Sequence, residues 1–303
     1  MLEVKIRDVV FSSPVIAASG TFGYGNEVQN FVELDKIGCI ITKSITIEPR
    51  VGNLSPRIHE SKSGMINAIG LANVGVDDFC DKKLPELSKI NTSFMISVAG
   101  SKLSDYIDVI KQIESSNGAH VGYEINISCP NVKEGGAEFG VDKDVTYKLT
   151  SKIRELTDKL LVVKLSPNVT CIEEIALAAE SAKADAISAV NTFLGISINY
   201  KTGKILLSNK FGGVSGPAIK PLALAKIHKI YNNIKIPVIG MGGISCYKDI
   251  VEFMRLGSTM VQVGTLNYRD PKLISNFHDQ LKNFLKNNNI NSISDLVGKY
   301  YEN

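Results

Sequence analysis

The chain has no tryptophan and only five cysteines and four histidines in 303 residues. The cysteines, at 39, 80, 129, 171 and 246, show no paired or clustered spacing. Zinc or iron–sulfur ligation on this chain is therefore unsupported, and no metal site is expected. An odd, scattered set fits a reducing compartment, so a cytoplasmic protein is expected. The histidines at 59, 120, 228 and 278 are equally dispersed, which points to solvated or structural roles. No apolar run approaches the ~18 residues that a membrane helix needs. Met1 to Val10 mixes charges with strand-like alternation and does not read as a signal peptide. The net charge of +3 is too small and too dispersed to argue for a nucleic-acid or membrane partner. Neither a G-x-G-x-x-G fingerprint nor a P-loop occurs, so a nucleotide held in the Rossmann manner is not expected. No linker or low-complexity stretch divides the chain, and residues 1–303 read as one domain.

What is present is a repeating unit. Short β-branched runs end in Gly, Ser, Thr or Asn, and a segment of helical period follows each. Strands are expected at Pro14–Gly20, Cys39–Thr46, Ser93–Gly100, Gly122–Cys129, Leu160–Pro167, Ala186–Thr192, Pro237–Gly243 and Met260–Thr265. Helices are expected near 26–34, 76–89, 103–116, 143–158, 171–182, 217–233, 245–256 and 270–286. Eight such alternations are what a (β/α)8 TIM barrel requires, and the apolar strands suit a parallel sheet buried on both faces. A doubly wound sheet is the alternative; the count of eight favours the barrel. Met1–Ser13 is expected to form a hairpin closing the far end. The segments 47–71 and 193–216 are too long for ordinary connections and are expected as long functional loops at the C-terminal ends of strands.

Chemistry concentrates at those strand ends. Tyr123-Glu124-Ile125-Asn126-Ile127-Ser128-Cys129-Pro130-Asn131 alternates into Asn126 and stops at a proline, which supplies no ladder donor. A glycine-bearing loop follows. Cys129 alone reads first as a small buried hydrophobe, but Asn126 and Asn131 are poor core residues. Lys43 in Thr42-Lys43-Ser44 and Lys164 in Val163-Lys164-Leu165 lie in apolar runs, where an ammonium needs an anion, a lined pocket or a path to solvent. Asn67 and Asn191 add amides, and such amides suit a planar, polar heterocycle. Gly242, Gly243, Gly264 and Thr265 close the seventh and eighth strands. Barrels often hold a phosphate there, although glycine also serves any tight turn.

These residues together resemble a class 1 dihydroorotate dehydrogenase over nearly the whole chain. The resemblance is carried by Ala18-Ser19-Gly20-Thr21-Phe22-Gly23, Thr42-Lys43-Ser44, Asn67-Ala68-Ile69-Gly70-Leu71, Asn126-Ile127-Ser128-Cys129-Pro130-Asn131, Asn191-Thr192 and Gly242-Gly243. Asn131-Val132-Lys133-Glu134-Gly135-Gly136 with Phe139-Gly140 is similar to the 1B, NAD-linked catalytic subunit. The resemblance implies oxidation of dihydroorotate to orotate in pyrimidine biosynthesis, with FMN on this chain. It implies FMN contacts from Ser19, Lys43, Ser44, Ser97, Asn126, Lys164, Val190, Gly216, Gly242, Gly243, Gly264 and Thr265. Substrate would be held by Lys43, Asn67, Ala68, Ile69, Gly70, Leu71, Asn126, Asn191 and Thr192, with Cys129 as general base and residues 130–140 closing over it. Electrons would leave through a separate subunit carrying FAD and a [2Fe–2S] cluster to NAD⁺, in a heterotetramer with a homodimeric core.

One departure from that family is visible: Ser97 stands where an asparagine is common near the end of the third strand. Three rivals are weighed beside this reading. A 1A-type homodimer reducing fumarate is disfavoured by the loop after Cys129. A flavin-dependent tRNA dihydrouridine synthase would bring a basic surface and an RNA-binding extension. A catalytically silent ligand-binding barrel would be free to lose Cys129, Lys43 or the amides, and all are present.

Overall fold

The computed structural model describes residues 1–128 and 140–302. Cys129, and all but Gly140 of the segment expected to close over substrate, lie outside the described residues.

Eight parallel strands close into a barrel in sequence order. They are β1 (Val15–Ala17), β2 (Cys39–Ile41), β3 (Ser93–Val98), β4 (Gly122–Asn126), β5 (Leu160–Lys164), β6 (Ala186–Ala189), β7 (Val238–Met241) and β8 (Ser258–Val263). Burial on both faces explains the apolar runs: every residue of β1, β2, β5, β6 and β7 is buried. The helices between strands turn one apolar stripe inward. Leu103–Ser115 buries Tyr106, Val109, Ile110 and Ile113, at the spacing of one helical face. Lys143–Arg154 starts at Asp142, whose carboxylate accepts from the amides of Asp144 and Val145, a cap worth ~1 kcal/mol.

At the barrel's N-terminal end, Val4–Ile6 pairs with Val9–Phe11 as the expected hairpin. Arg7 in its turn donates to the carbonyl of Asp158, just ahead of β5, at 2.7 Å. The hairpin therefore covers the end opposite to the strand termini that carry the chemistry.

Two expectations are corrected. The helix near 26–34 is absent; the chain instead makes two short 3₁₀ turns, Asn26–Val28 and Leu34–Lys36. Glu27 folds back to accept from the amides of Tyr24 and Gly25, both at 3.0 Å, which holds a turn rather than launching a helix. The segments 47–71 and 193–216 are not mere loops. Strands Ile58–Ser61, Gly64–Asn67, Phe211–Ser215 and Phe193–Ile196 form a four-stranded antiparallel sheet that joins the two segments.

Candidate functional site

The C-terminal rim of the barrel is built from the ends of consecutive strands. After β2, the Lys43 amide donates to the carbonyl of Gly23 at 2.9 Å. Its half-buried ammonium has no ion pair or hydrogen bond among the described residues. That leaves a cation available to an incoming ligand. Beside it the hydroxyls of Ser19, Ser44 and Ser97 form a chain, 3.5 Å from Ser19 to Ser44 and 2.8 Å from Ser44 to Ser97. Ser97 is fully buried, and its amide donates to Thr42 Oγ1. Its place is behind Ser44, away from the solvent-facing surface of the rim.

Across β4 and β5, Asn126 stands opposite Lys164 in register. Asn126 Oδ1 accepts from the Ser128 amide at 3.2 Å, so the side-chain NH2 is the group left to face the rim. Its backbone carbonyl takes the Tyr106 hydroxyl at 3.0 Å. Lys164 is buried, and its ammonium reaches the Glu124 carboxylate at 3.3 Å. That carboxylate also accepts from Ser188 Oγ at 2.9 Å and from Gln262 Nε2. Four strands thus meet on one buried anion. Removing one partner of such a pair costs about 3–5 kcal/mol, because the other charge is left uncompensated.

The antiparallel sheet brings the substrate-side candidates together. Asn67 ends its strand opposite Gly213 and donates from Nδ2 to the Gly213 carbonyl at 3.4 Å. A side chain at Gly213 would collide with Thr192, so Asn67, Gly213 and Thr192 are neighbours over the end of β6. Asn191 turns its Oδ1 onto the Thr192 amide at 2.8 Å. Asn168 adds a brace, donating to the Thr192 carbonyl at 3.1 Å and accepting from the Leu194 amide at 3.0 Å. Ala68 through Leu71 lead away from Asn67: Asn53 Nδ2 holds the Ala68 carbonyl and the Asn53 amide holds that of Ile69, both at 2.9 Å. Val190 is buried, and its amide donates to the Met241 carbonyl at 3.0 Å.

The glycines form a second cluster at the ends of β7 and β8. Gly242 and Gly243 have φ of 127° and 78°, conformations open chiefly to glycine. A Cβ on Gly243 would lie 2.8 Å from the Gly216 carbonyl oxygen and 2.9 Å from the Lys220 amide, so the two backbone segments meet here. Gly264 is different: a Cβ there would find only Ala18 and Thr21 side chains at 3.7 and 3.8 Å. No backbone crowds Gly264, unlike Gly243, so the chain leaves room for a ligand to approach it. Thr265 donates its hydroxyl to Ser215 Oγ at 2.8 Å. Lys220 is spoken for by Asp249 at 2.7 Å and Glu252 at 2.8 Å, which push its ammonium up to about 12. An anion at this cradle is therefore met by backbone amides, not by Lys220. The glycine cradle and Lys43, which has no side-chain partner among the described residues, fit a phosphorylated, polar, ring-shaped cofactor with a second ligand beside it.

Sequence reasoning singled out Lys164 but missed Glu124, Ser188, Gln262 and Asn168. The signal for Glu124 and Gln262 was the one that marked Lys164, a polar side chain inside an apolar strand.

The family model described as dihydroorotate dehydrogenase matches residues 1–285. The chain is 45% identical over 297 residues to the catalytic subunit of dihydroorotate dehydrogenase B (NAD(+)) of Geobacter metallireducens, covering 98% of this chain and 97% of that protein. The like-named subunit of Malacoplasma penetrans is 43% identical over 300 residues, covering 99% and 98%. That of Bacillus pumilus is 41% identical over 302 residues, covering 100% and 97%.

Proposed function

Because the chain belongs to the dihydroorotate dehydrogenase family of oxidoreductases, we propose that it is the catalytic subunit of an NAD⁺-linked enzyme oxidising (S)-dihydroorotate to orotate. The observation that carries the reading is the convergence of Lys43, Asn67, Asn126, Asn191 and Thr192 on one rim beside an open glycine cradle. Residues 1–303 act as one FMN-binding barrel.

The glycine cradle of Gly216, Gly242, Gly243, Gly264 and Thr265 would hold the FMN phosphate, with Ser19, Ser44 and the backbone of Val190 along the ring. Bound FMN supplies a hydride acceptor for C6 of the substrate. Lys164 would face the pyrimidine side of that ring, where its charge would favour the electron-rich state. Lys43 supplies the cation for the substrate carboxylate, and the amides of Asn67, Asn126 and Asn191 pair with its ring carbonyls and N–H groups, a match of donor and acceptor types. Cys129, as thiolate, removes the C5 proton.

Electrons then need an exit. Among the described residues no three His, Cys, Asp or Glu side chains gather as metal ligands would. The relatives are named catalytic subunits, which implies a separate partner. We assign to that partner FAD and a [2Fe–2S] cluster, delivering electrons to NAD⁺ in a heterotetramer around two copies of this chain. Among the described residues no helix is long and apolar enough to cross a membrane. The cysteines at 39, 80, 171 and 246 are free thiols, in keeping with a cytoplasmic enzyme.

The test is anaerobic mixing of the purified, flavin-loaded chain with dihydroorotate while flavin absorbance near 450 nm is followed. Rapid bleaching, lost in Cys129→Ala, is the expected result. A bound flavin that does not bleach refutes the substrate; a chain that takes up no FMN refutes the reading as a whole. Fumarate reoxidising the bleached chain as fast as the partner does would favour the homodimeric, fumarate-dependent enzyme.

A further inference from the structure

We propose that Glu124 is the positioning residue for Lys164, fixing where its ammonium stands beneath the barrel mouth and thereby the midpoint potential of the flavin bound there. The inference rests on the reading of the rim as an FMN site.

Three observations carry it. First, Glu124 is completely buried in β4, and its carboxylate gathers donors from three other strands: Lys164 on β5, Ser188 on β6 and Gln262 on β8. A carboxylate accepting from that many directions has little freedom to move. Second, Lys164 stands in register with Asn126 on one side and Ser188 on the other, immediately below the rim. A lysine so placed has a free route: its flexible stem would let the ammonium rise into the mouth. It is instead drawn back to Glu124 at 3.3 Å. Third, Gln262 turns its amide nitrogen to Glu124 and leaves Oε1 buried without a partner. An unsatisfied buried oxygen is tolerated here in order to complete the anion's shell.

Stability does not account for this arrangement. Buried ion pairs are commonly replaced by apolar residues of similar volume with no loss of stability. A Glu–Lys pair buried among strands that are mostly apolar is therefore better explained by what its upper end faces. With Glu124 as a fixed base, Lys164 presents its charge at one height to the ring above, and the carboxylate limits how much of that charge is felt.

The discriminating substitution is Glu124→Asp, which keeps the negative charge and withdraws it by one methylene. Charge is unchanged, so an altered potential reports position. The full-length apo chain is titrated with FMN by flavin fluorescence, its thermal unfolding is recorded, and the midpoint potential of the bound flavin is measured against a reference dye. We expect the Lys164 ammonium, still paired, to follow the shortened carboxylate away from the ring, so the preference for reduced over oxidised flavin should fall about tenfold, a midpoint more negative by ~30 mV for a two-electron couple. Ser188→Ala, which removes one donor from the carboxylate and is gentler on folding, should move the midpoint in the same direction by less. The neutral pair Glu124→Gln with Lys164→Met should give at least the shift of Glu124→Asp, since the same interaction is lost. A lower unfolding temperature with a wild-type midpoint in Glu124→Asp and Ser188→Ala would overturn the inference and leave Glu124 a fold-specifying residue. A wild-type chain that takes up no FMN would overturn the cofactor reading, and this inference with it.

Discussion

Alanine at Gly264 and alanine at Gly243 separate the cost of folding from the cost of binding. At Gly264 the added methyl meets only Ala18 Cβ at 3.7 Å and Thr21 Cγ2 at 3.8 Å, ordinary van der Waals contact. The backbone there is not in the left-handed region. Stability should be unchanged or raised by up to ~1 kcal/mol, the gain expected from a less flexible unfolded chain. At Gly243, φ is 78° and the methyl would press on the Gly216 oxygen at 2.8 Å and the Lys220 amide at 2.9 Å. Left-handed strain of ~1–2 kcal/mol and displacement of packed backbone at ~1–3 kcal/mol sum to a loss of roughly 2–5 kcal/mol. The Gly264 methyl should instead appear in FMN affinity, because it occupies space the phosphate needs. A loss of at least tenfold, ~1.4 kcal/mol, is expected. Urea unfolding of the apo chain gives the first quantity and fluorescence titration with FMN the second. Unaltered FMN affinity in Gly264→Ala, with stability also unaltered, would refute the placement of the phosphate over β8.

Three further outcomes are expected. Lys43→Ala should weaken orotate binding to the flavin-loaded chain about 10- to 100-fold, the loss of one charge-assisted contact of ~1.5–3 kcal/mol. Its unfolding temperature should hold, since Lys43 has no side-chain partner among the described residues; spectral titration with orotate and a melt decide the matter. An ordinary thiol has a pKa of about 8.5, so with Cys129 as base the bleaching rate should rise from pH 6 to 9, and a flat profile with chemistry limiting would count against it. His120 is buried, with Glu114 Oε1 3.9 Å from its Nε2, and burial, with Lys159 nearby, pushes its imidazole down to about 4. Protonation is then easier in the unfolded chain, so the stability that neutral His120 contributes is complete above pH ~6.5 and is lost as pH falls toward 4. Wild type should lose on the order of 3 kcal/mol more than His120→Leu over that window in urea unfolding; equal losses would show that His120 is not the group responsible.

The barrel was legible because parallel strands buried on both faces must be apolar runs, and all eight expected strands are present with ends shifted by a few residues. The helix near 26–34 failed because a single carboxylate, Glu27, supplies a local turn that competes with helix initiation, and the segment's Phe31 is exposed. The antiparallel sheet was not legible for a different reason. Met65 pairs with Ser215 and Asn67 with Gly213, partners nearly 150 residues apart, and nothing local in either segment specifies that register. Asn67 was recognised by type, yet its neighbours Gly213 and Thr192 follow only from the pairing.

The polar barrel interior shows where pattern reading stops and packing begins. An ionisable residue in an apolar strand marks an anomaly, and Lys164 was found that way. The same rule applied to β4 would have found Glu124, but alternation made it resemble a solvent-facing position in a half-exposed strand. Closure of the sheet reverses that meaning: an inward side chain on one strand faces those of the others, so Glu124 meets Lys164, Ser188 and Gln262 rather than water. Ser97 obeys the same geometry. It stands beside Glu124 in register, and its hydroxyl meets that of Ser44, which in turn stands 3.5 Å from Ser19. A longer amide there would have to displace Ser44 or reach past it. The short side chain thus leaves the hydroxyls of Ser19 and Ser44 standing together at the ends of the first and second strands.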